Sequence, residues 1–204
     1  MNYYPLRELA DIQTGITLRG PDTSRKASDA THRLIRIGDV SPEGVISRQS
    51  TARIKVPEKD IGKFELKLGN VLLAARGSRL KAAVFELDEP AVAGSQFIII
   101  RILPQWLGLR PGFLAWYLNL PAVQEQLSAR MRGTYIRSLP ASVLSLLQVP
   151  VPDGAKQDAI IAINDLRIHE KALMEQLAHQ RSQLVEQLAI TSLNFNPRSE
   201  HVLG

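Results

Sequence analysis

The chain has 204 residues, of which 45% are hydrophobic and 22% charged, a composition typical of one globular domain with an appendage. It contains no cysteine, which excludes a disulfide framework, a zinc finger, a thiolate-ligated iron–sulfur site and a catalytic thiol. Residues 1–152 carry 20 Lys and Arg against 13 Asp and Glu, whereas residues 153–204 carry 5 against 7. The basic part favours arginine, whose planar head suits phosphates and guanine edges. We therefore expect an anionic polymer as partner; a solvated basic surface is the alternative.

The chain start, MNYYPLRELADIQTG, has neither a basic region followed by an apolar one nor a small-residue cleavage site. The longest apolar runs, such as residues 97–100, are far shorter than the ~18 residues of a membrane span. We expect a cytoplasmic protein without a membrane segment.

Residues 1–152 carry the pattern of short strands followed by helices. Apolar runs rich in Val and Ile and bounded by Gly, Pro or Asp predict strands at 33–40, 44–47, 70–76, 82–87 and 96–103. Pro111 opens a helical stretch, and Pro121 breaks or restarts it. The pattern predicts an α+β fold built on a mixed, twisted sheet.

The pattern changes at VPVPDG, residues 149–154. Asp153 is placed to act as an N-cap, and neither Pro nor Gly occurs from Ala155 to Asn196. This predicts one long helix from Ala155 to about Thr191, ~55 Å long at ~1.5 Å per residue.

The predicted helix has an imperfect heptad seam, interrupted by Glu170, Gln180 and Gln187. Its apolar positions are Ile163, Leu166, Leu173, Leu177, Leu184 and Leu188. A lone helix with an apolar stripe is poorly stabilised in water. We therefore expect it to pack on another helix as a coiled coil, with a helix lying flat on its own domain as the alternative.

Motifs for catalysis are absent from the sequence. It contains no Walker A motif, no G-x-S-x-G, no H-E-x-x-H and no methyltransferase tetrapeptide. Asp60, Glu65 and Lys67 weakly match the acidic-x-Lys pattern of Mg²⁺-dependent nucleases. The four histidines are interpreted as structural or exposed. We expect no catalytic residue, no metal and no cofactor, with a standalone metal-dependent nuclease or other DNA-modifying enzyme as the alternative.

Five segments, in order, resemble the specificity subunits of type I restriction-modification systems. They are PLRELADIQTG, LIRIGDVSPEGVI, LKLGNVLLAARGS, GSQFIIIRI and GTYIRSLPASVLSLLQVPVPDGAKQDAI, within roughly Tyr4 to Leu193. The resemblance implies a domain that reads half of a split DNA target, and a helix that is half of an antiparallel pair docking methyltransferase subunits. The domains implied are 1–152 for target recognition and 153–193 for the dimerisation and spacer helix, with 194–204 as a tail.

The sequence departs from the family in two ways. Family members carry two recognition domains and two spacer helices, whereas this chain has one of each, so it is either a half-subunit that dimerises or a fragment. Asn70 also stands in Gly69-Asn70-Val71, where the family has Gly-Asp-Val.

Base reading needs donors and acceptors held rigidly at base edges, among sequence-blind phosphate contacts. Loops at the ends of strands supply them. Two such loops are predicted, at 76–81 and at 133–138, and Arg130 and Arg132 precede the second. The polar segment from Arg19 to Arg33 is interpreted as a flexible loop that becomes ordered on phosphates. The candidate DNA-binding residues are Arg25, Lys26, Arg76, Ser78, Arg79, Lys81, Arg132, Thr134, Tyr135 and Arg137. The alternatives are a solvated basic hairpin at 76–81, and Tyr135 packing under its loop.

The charge and the missing catalytic motifs predict a non-catalytic protein that binds double-stranded DNA, and the resemblance implies that it gives specificity to a methyltransferase subunit and a restriction endonuclease subunit. An antiparallel homodimer would read one half-site twice, as a gapped palindrome. A structural dimer module that binds RNA is a third possibility, disfavoured by the 5% aromatic content.

Overall fold

The computed structural model describes residues 2–17, 30–49, 52–77, 80–133 and 137–193. The chain divides into two compact units, Met1–Ile161 and Ala162–Gly204. The strands are β1 (Asn2–Pro5), β2 (Ala10–Thr14), β3 (His32–Ile35), β4 (Arg53–Ile54), β5 (Val71–Ala74), β6 (Lys81–Val84), β7 (Ala91–Ala93), β8 (Phe97–Ile102) and β9 (Gln148–Val151). The helices are α1 (Leu6–Leu9), α2 (Glu58–Phe64), α3 (Pro111–Leu118), α4 (Pro121–Ser128), α5 (Ala141–Leu144) and α6 (Gly154–Ser192).

The described strands form three sheets. The central sheet is antiparallel, with the order β2-β8-β5-β6. A second sheet has the order β4-β3-β7 and is mixed, because β3 pairs with β7 in parallel and with β4 antiparallel. The strands β1 and β9 form a two-stranded ribbon. The α+β prediction of a sheet domain followed by one long C-terminal helix is confirmed.

The central sheet is buried on both faces, which explains why its strands are continuously apolar. Leu73 and Ile98 belong to the cluster that contains Phe113 of α3. Their neighbours Leu72 and Ile99 belong to a second cluster on the opposite face. This burial holds β5 rigidly, and β5 leads directly into the loop that begins at residue 75.

Two strand predictions need correction. The run 33–40 was predicted as one strand, but β3 ends at Ile35 and residues 37–39 form a 3-10 turn. The Asp39 carboxylate accepts a hydrogen bond from the Arg36 N–H at 2.7 Å, and this local bond turns the chain. The run 44–47 is not a strand; among the described residues, its β contact is an isolated bridge between Ile46 and Val40.

Asn119 closes the free edge of β6. The α3 helix ends before Pro121, which opens α4, as the sequence predicted. In the turn between them, the Asn119 side chain accepts a hydrogen bond from the Ala82 N–H at 2.9 Å and donates one to the Ala82 carbonyl at 2.8 Å. The amide therefore replaces a neighbouring strand at this position.

The start of α6 is capped as predicted. The Asp153 carboxylate accepts a hydrogen bond from the Lys156 N–H at 3.0 Å, and this bond together with the Lys156 ammonium lowers the pKa of the Asp153 carboxyl. The helix spans 39 residues, Gly154–Ser192. No helix in the described residues has the length and apolarity to cross a membrane. The predicted domain boundary after residue 152 stays a prediction, and the predicted tail, 194–204, lies outside the described residues.

Gln157 anchors the first turn of α6 to the sheet domain. Its side chain is 1% exposed. Its amide oxygen accepts a hydrogen bond from the Arg110 N–H at 2.8 Å, and its amide nitrogen donates to the carbonyls of Gly108 and Pro152 at 3.0 and 2.8 Å. Since a buried amide must be paired, this position requires glutamine or an equivalent.

Candidate nucleic-acid interface

The two basic loops predicted from the sequence meet in the structure. Beyond β5, Arg76 forms an antiparallel bridge with Ser138. The Leu139 N–H donates to the Ala75 carbonyl at 2.8 Å, and the Gly77 N–H donates to the Arg137 carbonyl at 3.1 Å. The backbone thus pairs residues 75–77 with residues 137–139.

Ser138 also pairs on its other side. It exchanges two backbone hydrogen bonds with Arg132, at 2.9 and 2.8 Å. Residues 75–77, 137–139 and 132 therefore form three neighbouring segments, which we call the basic ladder. Directly opposed residues of a ladder share one face, so Arg76 and Arg132 lie on the face of Ser138, and both are exposed.

Arg137 lies one residue along and therefore on the other face. Its guanidinium donates a hydrogen bond to the carbonyl of Ser128, the last residue of α4, at 2.6 Å. A cation at a helix C-terminus is favoured by the helix dipole. The sequence predicts a DNA contact for Arg137, and the structure gives this residue a supporting contact to α4 as well.

Two glycines turn the chain at the edge of the ladder. Gly77 has φ of 99° and Gly133 has φ of 108°, a conformation that L side chains rarely adopt. The residues that follow these turns include the candidates Ser78, Arg79, Thr134 and Tyr135, which lie outside the described residues. Arg25 and Lys26 lie outside them too, whereas Lys81 is half-buried at the start of β6, opposite Ala74.

The two stretches of sequence that contain the ladder carry cations without acids. The segments 66–85 and 126–152 contain no Asp and no Glu but seven Lys and Arg, which are Lys67, Arg76, Arg79, Lys81, Arg130, Arg132 and Arg137. Charges of one sign on neighbouring segments sum to a positive potential. The net charge of residues 1–152 as a whole does not reveal this local segregation.

A cleft of about 660 Å³ adjoins the ladder. Arg130 and Arg132 line it together with Leu146 and Gln148. Leu146 is 56% exposed, so the cleft offers both cationic and apolar surface beside the exposed arginines.

Arg33, the last residue of the polar segment predicted to bind phosphates, has another role. It is 8% exposed. Its Nε lies 3.0 Å from the Glu89 carboxylate, and its terminal nitrogens donate to the carbonyls of Ser47 and Arg48 at 3.3 and 3.0 Å. These contacts occupy the guanidinium, so Arg33 is a buried structural arginine and not a phosphate contact.

The weak nuclease pattern does not assemble into a metal centre. Asp60 lies in the first turn of α2, whereas the Glu65 carboxylate lies 3.4 Å from Nε2 of the buried His32. In the described ranges, no three or more His, Asp or Glu side chains are placed to hold a metal ion. His32 fits the prediction of a structural histidine, because it is buried and its Nδ1 lies 2.8 Å from the Thr31 hydroxyl.

The seam predicted on the long helix is exposed along the second unit. Its six predicted positions, Ile163, Leu166, Leu173, Leu177, Leu184 and Leu188, are between 55% and 71% exposed. Met174 and Val185 extend the same apolar face at 64% and 60%. A groove of about 650 Å³ runs along it, lined by Met174, Leu177 and Arg181 among others.

Comparison with known proteins gives one consistent result. No protein-family model matches the sequence, and no curated protein matches it. Solved structures do match. A chain from a type I R-M system, studied for its complex assembly and conformational transition, aligns with a TM-score of 0.66, 17% identity and 92% of this chain covered.

Two further structures agree. The type I restriction-modification S subunit from M. genitalium has a TM-score of 0.54, 20% identity and 87% coverage, and the HsdS subunit from Thermoanaerobacter tengcongensis has 0.55, 16% and 86%. The alignments cover 43%, 41% and 39% of the three matched chains, so this chain spans about two fifths of their length. The chain therefore has the fold of type I restriction-modification S subunits, as the sequence resemblance implied.

Proposed function

We propose that this chain is the sequence-specific, double-stranded DNA recognition subunit of a type I restriction-modification system. The observation that carries the proposal is the fold likeness, which covers 92% of the chain at a TM-score of 0.66. The ordered sequence segments that resemble specificity subunits support it independently. In this role the chain directs separate methyltransferase and restriction subunits to a bipartite site in cytoplasmic DNA.

The basic ladder is the proposed DNA contact. It places the exposed Arg76 and Arg132 on one face, in segments that contain no acidic residue. Arginine donates to guanine O6 and N7 with two parallel hydrogen bonds, and it also binds phosphates. Backbone pairing with Ser138 fixes the positions of both arginines, which base reading requires.

The chain itself is proposed to be non-catalytic. Its sequence carries no methyltransferase motif and only a weak match to a nuclease pattern, and two of the similar structures are described as S or HsdS subunits. Methyl transfer and cleavage would then belong to the partner subunits. The alternative of a metal-dependent nuclease rests on Asp60, Glu65 and Lys67, of which Glu65 lies 3.4 Å from Nε2 of His32.

The α6 helix is the proposed site of self-association. A single recognition domain reads one half of a bipartite site, and a second copy supplies the other half. The exposed apolar face of the second unit is the surface that an antiparallel partner helix would cover. Two-fold symmetry then requires the same half-site twice in inverted orientation.

Binding of the full chain to duplex DNA tests the proposal. Fluorescence anisotropy with a labelled duplex is expected to show affinity that falls steeply with salt, as counterion release requires. The same strand without its complement is expected to bind more weakly. Mg²⁺-dependent nicking of plasmid DNA that is lost in Glu65→Ala would favour the nuclease instead.

A further inference from the structure

The exposed face of α6 contains two series of residues with a strict seven-residue spacing. One series is Ile163, Glu170, Leu177 and Leu184, and the other is Arg167, Met174, Arg181 and Leu188. The two series alternate at intervals of three and four residues, which is the spacing of the a and d positions of a coiled coil. In this frame Leu166 and Leu173 flank the seam, and Gln180 and Gln187 do not interrupt it.

Glu170 and Arg181 occupy seam positions but carry opposite charges. Both are exposed, and neither makes an ion pair within the described residues. A charge covered by an apolar partner helix would lose its water without compensation. A helix that covers this face must therefore bring a positive group to Glu170 and a negative group to Arg181.

A second copy of the same helix brings both groups when it runs antiparallel. With a two-fold axis between Glu175 and Gln176, Glu170 of each copy faces Arg181 of the other. Symmetry makes this ion pair twice. A parallel pair in register would instead place Glu170 against Glu170 and Arg181 against Arg181.

The same axis matches the remaining seam positions. It places Met174 opposite Leu177, and Ile163 opposite Leu188, of the second copy. In the remaining facing pair, Leu184 of one copy lies opposite Arg167 of the other. The Arg167 guanidinium donates to the Asn164 side chain at 3.1 Å, so its head is held outward and its methylene stem can cover the leucine.

Registers that differ by one heptad separate the charges. One such shift places Glu170 against Met174 and Arg181 against Ile163, and the other places Glu170 against Leu188 and Arg181 against Leu177. Each places the four Glu170 and Arg181 charges of the dimer against apolar side chains. The charges therefore select one register, as single polar residues do in coiled coils.

We infer that α6 pairs with a second copy of this chain, antiparallel, in the register fixed by two reciprocal Glu170–Arg181 ion pairs. The inference rests on the proposed homodimer and adds its register.

Charge reversal in the full chain tests the register. Glu170→Arg places like charges at both contacts, and so does Arg181→Glu, so sedimentation equilibrium is expected to show dimerisation of each weakened about ten-fold or more. An equal mixture of the two variants is expected to restore dimers, since every contact then joins an arginine to a glutamate. Asp165→Arg, which lies on the opposite side of the helix, is the matched control and is expected to dimerise like the unmodified chain.

Disulfide cross-linking gives a second measurement, because the chain has no native cysteine. Oxidation of a mixture of Met174→Cys and Leu177→Cys is expected to give a mixed disulfide. A mixture of Met174→Cys and Leu184→Cys is not, because these positions face each other only in the register shifted by one heptad. Dimers that form but ignore both charge reversals, or that cross-link only through 174 and 184, overturn the register and leave the homodimer standing. A monomeric unmodified chain overturns both, while DNA binding by the same samples decides the recognition function separately.

Discussion

Arg76 and Ser138 are partners in an antiparallel β-bridge, and Ser138 exchanges two further backbone hydrogen bonds with Arg132. One serine thus holds two exposed arginines on the same face, one of them, Arg76, from a distant part of the chain. Because these bonds join backbone groups, they leave the N–H donors of the arginine side chains unused. Both guanidinium groups are presented to solvent on a defined framework.

Replacing Arg76 or Arg132 with alanine is expected to weaken binding to duplex DNA. If the arginine contacts a base edge, the loss is ~1 to 3 kcal/mol at one base position, and discrimination relaxes there. Anisotropy with duplexes that vary at each position measures this. Arg53→Ala is the matched control, because Arg53 lies in β4 with its guanidinium 2.9 Å from Glu89. Equal binding by Arg76→Ala, Arg132→Ala and the unmodified chain would contradict the assignment.

Arg137→Ala is expected to lower stability as well as DNA affinity. The substitution removes the hydrogen bond to the Ser128 carbonyl and a cation from the C-terminus of α4, a loss of about 1 kcal/mol at this exposed position. Urea unfolding measures the change. Arg76→Ala, whose described contacts in the ladder are made by its backbone, serves as comparison. Unchanged unfolding of Arg137→Ala would show that the contact to Ser128 does not support the loop.

Gln157→Ala is expected to destabilise the junction between β9 and α6 by at least about 2 kcal/mol. The change leaves the Arg110 N–H and the carbonyls of Gly108 and Pro152 without their partner, and unpaired buried groups are costly. Urea unfolding again provides the measurement, with Gln183→Ala on the exposed helix as control. A loss no larger than that of the control would argue against the anchoring role.

Leu173→Glu combined with Leu177→Glu is expected to abolish self-association and leave the sheet domain folded. Both leucines are more than half exposed in the isolated chain, so the change costs the monomer little, whereas a partner helix would have to bury the new charges. Sedimentation reports association, and circular dichroism reports folding. Gln176→Glu with Gln183→Glu adds the same charge on the polar side and is expected to leave dimers intact.

The parts of the fold that the sequence predicted are those with a strong local signal. The buried strands β5 and β8 are continuous apolar runs, Pro121 divides two helices, and Asp153 caps α6. The ribbon of β1 and β9 was missed because β9 contains Pro150, which opposes the usual strand pattern.

The site was predicted in its pieces and not in its assembly. The glycine and arginines of each basic loop form a local sequence pattern that predicts the loop. The bridge between Arg76 and Ser138 joins distant parts of the chain, and no local sequence pattern predicts it. Arg33 was misassigned for a related reason. Its partner Glu89 lies far along the chain, so its burial could not be derived from neighbouring residues.

Selection from a random pool of duplex DNA by the full chain is the most direct measurement of the central claim. The account predicts that the unmodified chain enriches one sequence, a gapped palindrome. It also predicts that Arg76→Ala selects the same sequence with a weaker base preference at one defined position. Recovery of no preferred duplex, with equal binding to all sequences at every salt concentration, would contradict it.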